Sequence, residues 1–197
     1  MPVLVPLLEN RKIVFSLFRW VALLTCFAIF SLPATSAAPK PNQGGKPDFS
    51  GNWTLDLQAS SSLEPMMKQI EASPIDLKYA TSTTLKATLQ QTNDVLTVAT
   101  RGPGFALDQT LYLDGRTDSS NLNLLGATSI NCKTAWSKEN NELIESHEIK
   151  TKQGKDGRLT IKRHLTNGGQ TLVVAFTLQL NGESGQTSAH QMWQKQT

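Results

Sequence analysis

The stretch that decides the architecture is Glu142–Leu180, ELIESHEIKTKQGKDGRLTIKRHLTNGGQTLVVAFTLQL. Leu143, Glu145, His147 and Ile149 occupy alternate positions, and so do Leu159, Ile161, Arg163 and Leu165, with Val174 and Phe176 following. Period-two patterning predicts strands, because successive side chains of a strand point to opposite faces of the sheet. Gly154 with Gly157, and then Asn167-Gly168-Gly169, separate the runs as tight turns do between antiparallel neighbours.

The same signal extends both ways. Strands are predicted near Phe49–Leu57, Thr83–Gln91, Val95–Arg101, Ala106–Leu113 and Thr128–Ser137, then at Glu142–Thr151, Arg158–Thr166, Thr171–Leu180 and Thr187–Gln196. Asp114–Gly126 is poorly patterned and has room for one more short strand. The period changes once: Leu63, Met66, Met67 and Ile70 recur at helical spacing, Ser61 with Glu64 has the form of a capping box, and Ser73-Pro74 stops this helix and starts another around Ile75–Ala80. The two methionines read as core packing. The expected fold is mainly β, an up-and-down antiparallel β-barrel of about nine or ten strands with a short helix-turn-helix lid after the first strand, closure being the economical way to remove sheet edges.

Composition narrows the function classes. The chain has 197 residues, with 19 Lys+Arg against 16 Asp+Glu, a charge too small and scattered to mark a nucleic-acid partner. Arg11, Lys12 and Arg19, the apolar run Trp20–Leu32 and the small residues up to Ala38 have the order of a secretory signal peptide. That run is shorter than the roughly 20 residues a spanning helix needs. Residues 1–38 are therefore expected to be a signal peptide, 39–47 a flexible leader and 48–197 the barrel domain. Cleavage leaves Cys132 as the single thiol, so no internal disulfide is expected and stability must come from the core. The product is expected to be secreted or periplasmic, a monomer without stable membrane insertion, metal or cofactor.

Asp48-Phe49-Ser50-Gly51-Asn52-Trp53 opening the first strand, then two helices and a meander, resembles the calycin superfamily, and within it the fatty-acid-binding-protein branch. Arg163-His164-Leu165-Thr166-Asn167-Gly168 is similar to that family's arginine-bearing strand and following turn. The resemblance implies a barrel holding a hydrophobic carboxylate under a helical lid, with Arg163 as the carboxylate's partner. The last strand departs from the family, carrying Gln191-Met192-Trp193 in place of an Arg-x-Tyr pair.

Register can also be set by requiring neighbouring strands to share one apolar face. Across Gly154 this places Leu143 opposite Leu165, Glu145 opposite Arg163, His147 opposite Ile161 and Ile149 opposite Leu159. Across Asn167-Gly168-Gly169 it places Arg163 near Val174 and Ile161 near Phe176; across Asn181-Gly182, Val174 near Trp193 and Phe176 near Gln191. Across Asn140-Asn141, Cys132 faces His147, Thr134 faces Glu145 and Trp136 faces Leu143. One interior layer then contains Thr134, Glu145, Arg163, Val174 and Trp193, and the next Cys132, His147, Ile161, Phe176 and Gln191. So many inward polar groups argue for a ligand-sized cavity, since each buried one needs a partner.

The candidate ligand-binding residues are Arg163, Glu145, His147, Cys132, Thr134, Gln191, Trp193 and Phe176. Arg163 can anchor an anion through its planar fork or pair with Glu145 across the strands. Cys132 beside His147 could pair a nucleophile with its base, and an inward His147 could ligate haem; no third orienting residue or oxyanion loop accompanies them, so no catalytic residue is assigned. The expected function is an exported binding protein for a small hydrophobic, fatty-acid-like ligand. The alternatives are a barrel lyase or isomerase using His147 or Glu145 for proton transfer, and a non-binding structural or inhibitory barrel.

Overall fold

A computed structural model describes residues 45–119, 122–124 and 126–196. The expected signal peptide, and all of the leader before Gly45, lie outside the described residues. Eleven strands are described: β1 (Gly51–Asp56), β2 (Lys86–Gln91), β3 (Val95–Gly102), β4 (Phe105–Tyr112), β5 (Thr117–Asp118), β6 (Leu122–Leu124), β7 (Ala127–Trp136), β8 (Leu143–Lys150), β9 (Asp156–Thr166), β10 (Thr171–Leu180) and β11 (Thr187–Lys195). Helices α1 (Glu64–Gln69) and α2 (Pro74–Ser82) follow β1. The poorly patterned segment thus holds two short strands rather than one.

Ladders run β4-β3-β2-β1-β11-β10-β9-β8-β7-β5, with β6 also on β7, and all are antiparallel. The result is a nearly closed barrel in which β1 pairs with β11, the wrap-around that consecutive hairpins alone cannot supply. Among the described residues no ladder joins β4 to β7, although the two strands lie against each other.

One end of the barrel is sealed by the first strand. Phe49 and Trp53 are fully buried, the Trp53 indole N–H donates to Phe49 O at 3.0 Å, and Phe49 stacks on Trp136 at 5.8 Å. Gly51 between them has φ +142°, a conformation L side chains rarely adopt, and a Cβ there would meet Lys195 Cε at 2.8 Å. Gln91 ties the entering chain down, accepting from Phe49 N–H at 3.0 Å and donating to Pro47 O at 2.9 Å.

The helices close the other end. α2 begins where the sequence predicts, with Ser73 as N-cap accepting from Asp76 N–H and Pro74 in the first turn. The capping box at Ser61 does not form: the N-cap is Leu63, without a side-chain cap. Ser61 is occupied elsewhere, its hydroxyl accepting from His190 N–H at 2.6 Å while its own N–H donates to His190 O at 2.9 Å. It thereby ties the segment between β1 and α1 to β11. Met66 and Met67 are both buried in the core, and Met67 also borders the cavity described below.

α1 is also held from below. Gln69 donates to the Glu183 carboxylate and accepts from the Thr187 hydroxyl at 2.6 Å. The hydrogen bond from Gln69 holds the Glu183 carboxyl below its ordinary value; Lys155 acts in the same direction, and desolvation opposes them. A carboxyl lowered on folding contributes stability above the ordinary carboxylate range, lost as pH falls through that range toward the folded value. Acidification should therefore lower the protection of the α1 amides against hydrogen exchange, measured relative to their intrinsic rates at each pH, whereas Glu183→Gln should show the lower protection already at neutral pH. Equal exchange in the two proteins at neutral pH would remove this contact from the lid's anchoring.

Two hairpins differ from the expected register. Glu145 lies opposite Ile161, His147 opposite Leu159, Leu143 opposite Arg163 and Ile149 opposite Gly157, a shift of two residues. The hairpin closes around Gln153, with Thr151 N–H donating to Lys155 O and Gly154 just past the apex at φ +83°. Likewise Trp193 lies opposite Leu172 and Gln191 opposite Val174, because the turn centres on Gly182-Glu183, where Glu183 N–H donates to Leu180 O. The remaining pairings stand as expected: Arg163 with Val174, Ile161 with Phe176, Cys132 with His147, Thr134 with Glu145 and Trp136 with Leu143. The interior layers change accordingly, and Arg163 and Glu145 fall into different ones.

Candidate functional site

A shift of two leaves every inward side chain inward, since faces alternate with a period of two. Glu145, His147, Thr134, Trp193, Cys132, Arg163, Phe176 and Gln191 are all buried. Arg163 and Glu145 still meet as diagonal cross-strand neighbours, and Arg163 Nη1 pairs with Glu145 Oε1. Burial pushes the Arg163 guanidinium down from its ordinary value to about 10, with Cys132 acting upward. It remains charged at neutral pH.

Around this pair lies a closed polar network. His147 Nε2 is 3.3 Å from Glu145 Oε2, Ser129 Oγ is 3.0 Å from His147 Nδ1, and Cys132 Sγ is 3.7 Å from both His147 Nε2 and Thr134 Oγ1. Ser129 reaches His147 through a β-bulge. Regular alternation back from Cys132 would turn Ile130 inward; instead the β7–β8 register shifts between Ser129 and Asn131, so Ser129 is fully buried while Ile130 is 37% exposed. The arrangement does not resemble a thiol activated by a histidine base. Nε2 faces the carboxylate as well as the sulfur, and Nδ1 is occupied by a hydroxyl rather than by the orienting acid such a pair would need.

Beside the network lies a cavity of about 340 Å³. The lid contributes Leu63, Met67, Asp76, Tyr79 and Ala80, and β2 to β4 contribute Ala87, Leu89, Val98, Thr100 and Gln109 among others, with Leu85 just ahead of β2. Four of the sequence candidates line it: Arg163, Phe176, Gln191 and Trp193. Glu145, His147, Cys132 and Thr134 are not among the lining residues. The inward polar groups therefore mostly satisfy one another, and the cavity walls are largely apolar. Sequence reasoning missed Gln109, Thr100 and the lid residues. Their strands and helices were legible, but the inward face of β2–β4 was not assigned.

No family model and no curated protein matches the sequence. Solved structures do. The REP1-NXSQ fatty acid transporter aligns with a TM-score of 0.57 at 15% identity, over 76% of this chain and 97% of its own. The apo lipid binding protein 8 of Caenorhabditis elegans gives 0.57 at 15%, over 75% and 95%. The Schistosoma mansoni fatty acid binding protein in complex with arachidonic acid gives 0.57 at 15%, over 76% and 96%. The fold is that of the fatty-acid-binding proteins. The calycin-like barrel with a two-helix lid is thus shared nearly along the full length of those structures, although about six residues in seven differ from theirs.

Proposed function

We propose that the protein is an exported binding protein that holds a small hydrophobic molecule inside the barrel. The cavity carries this reading: its volume of about 340 Å³ falls at the lower end of the roughly 300–1,000 Å³ range of small-molecule sites, and its walls are apolar apart from a few polar groups. The lipids named for the structurally similar proteins support the same class. Arg163 would hold the polar head, with Gln191 and Trp193 nearby in the wall. A carboxylate head, which the sequence resemblance implies, would share Arg163 with Glu145. The lyase or isomerase reading needs His147 or Glu145 to touch a bound ligand, and neither lines the cavity, so binding is favoured. Export rests on the basic, apolar and small-residue order of residues 1–38, and the barrel is proposed to act as a monomer.

Displacement of a neutral fluorescent lipophile such as Nile red by long-chain lipids tests the binding reading, with low-micromolar competition expected. Absence of both probe binding and competition would favour the structural or inhibitory barrel. Intact-mass measurement of protein from the cell envelope or medium tests export; a retained N-terminus there would overturn cleavage.

A further inference from the structure

The charges and hydrogen-bond donors of the cavity define the head group more narrowly, a refinement that rests on the proposed binding function. Among the described residues lining the cavity, the charged side chains are Arg163 and Asp76. Arg163 is already neutralised by Glu145, which is fully buried behind it. Asp76 sits at the lid, its carboxylate 2.6 Å from the Ser73 hydroxyl. The cavity wall thus carries one cation and one carboxylate, and that cation is already paired with a second carboxylate. The other titratable groups packed on the pair are His147, against Glu145, and Cys132, against His147. A carboxylate ligand would bring a third anion to a guanidinium whose charge is compensated, and would lose its hydration to do so.

The donors point the other way. Trp193 Nε1 and Gln109 Nε2 are buried without a hydrogen-bond partner, on residues only 5% and 9% exposed, and both residues line the cavity. An unmet buried donor costs about 1–3 kcal/mol. The guanidinium of Arg163 also carries more N–H groups than one carboxylate can satisfy. The cavity wall therefore holds two buried N–H donors that no acceptor meets, while its charge is already balanced or slightly negative.

We infer that the occupant is an uncharged lipophile bearing oxygen acceptors, such as a long-chain ester, ketone or alcohol, and that the site discriminates against the free carboxylate of the same chain. Glu145 is the selecting residue, acting through Arg163, and the unpartnered indole and amide N–H groups supply the positive contacts. Specificity then combines an attractive element with a repulsive one.

The test compares decanoic acid, decanol and methyl decanoate, together with their hexadecyl counterparts, as competitors of Nile red on the purified protein at neutral pH. The alcohol and ester should compete about tenfold or more better than the acid, a difference of roughly 1.4 kcal/mol. Acid binding as tight as or tighter than the ester would overturn the inference and leave the binding reading standing. Failure of every competitor and of the probe would overturn the binding reading itself. Glu145→Gln should raise acid affinity about tenfold with the ester little changed. Asp76→Asn, at the lid, should move the acid in the same direction by a smaller factor. No change in acid affinity in a folded Glu145→Gln protein would also overturn the inference.

Discussion

Replacing Glu145 with leucine should lower the melting temperature by about 10 °C or more, the effect of removing one partner from a buried ion pair, ~3–5 kcal/mol. The physical reason is what remains: a guanidinium only 6% exposed with no counter-charge, and a His147 ring that has lost its carboxylate partner. The pair is not thereby worth that amount, because desolvating both charges already consumed most of their attraction. Glu145→Leu combined with Arg163→Met should accordingly recover most of the loss, since an apolar pair of similar bulk costs little to bury. Calorimetry on the two proteins decides the matter. A single variant that melts with wild type would mean that the pair is hydrated, and a double variant as unstable as the single would place the cost in lost packing. Arg163→Ala is a poor probe of ligand binding for the same reason, since it strands Glu145 in the interior.

The second large effect concerns binding rather than stability. Ala87 lies on β2, is 5% exposed and lines the cavity, so Ala87→Trp projects an indole into the space the ligand is proposed to fill. Displacing roughly four methylene groups at about 0.8 kcal/mol each amounts to some 3 kcal/mol, or about a hundredfold in Kd. Overpacking a filled core would cost about 1–3 kcal/mol of stability, but the indole has an empty volume to enter, so the melting temperature should change little. Probe titration and thermal melting on one sample read both quantities. Undiminished binding with an unchanged melt would show that the ligand sits elsewhere; a large loss of stability would show that the cavity closes in solution.

Faces were legible in the sequence, and register in two of the four hairpins, β7–β8 and β9–β10, but not in β8–β9 or β10–β11, for one reason. Leu159, Ile161, Arg163 and Leu165 alternate strictly, and alternation is blind to a slip of two. The patterning therefore put Arg163 and Glu145 inside while leaving open which residue each would oppose across β8–β9. Turn geometry decided that, through the Thr151–Lys155 closure and the Glu183–Leu180 contact, and a lone Gly154 or Gly182 does not announce where the apex falls. Ser129 was hidden more deeply, because a bulge breaks the alternation that marks an inward face. The capping box failed for a tertiary reason: Ser61 had a distant partner in His190 that local spacing could not reveal. Gln109 and Thr100 stood in predicted strands, but no hairpin register there showed which way they pointed.

The gap between β4 and β7, which no ladder bridges among the described residues, has a mechanical consequence. A hoop of strands can widen only by tearing hydrogen bonds along its whole circumference, whereas a ring cut at one place behaves as a spring clip. Its girth can change by flexing, with the strain spread thinly over the remaining pairings and no pairing given up. The tolerance of this barrel for guests of different thickness would then be set by the stiffness of its cut edges, independently of the polar groups proposed to select the head.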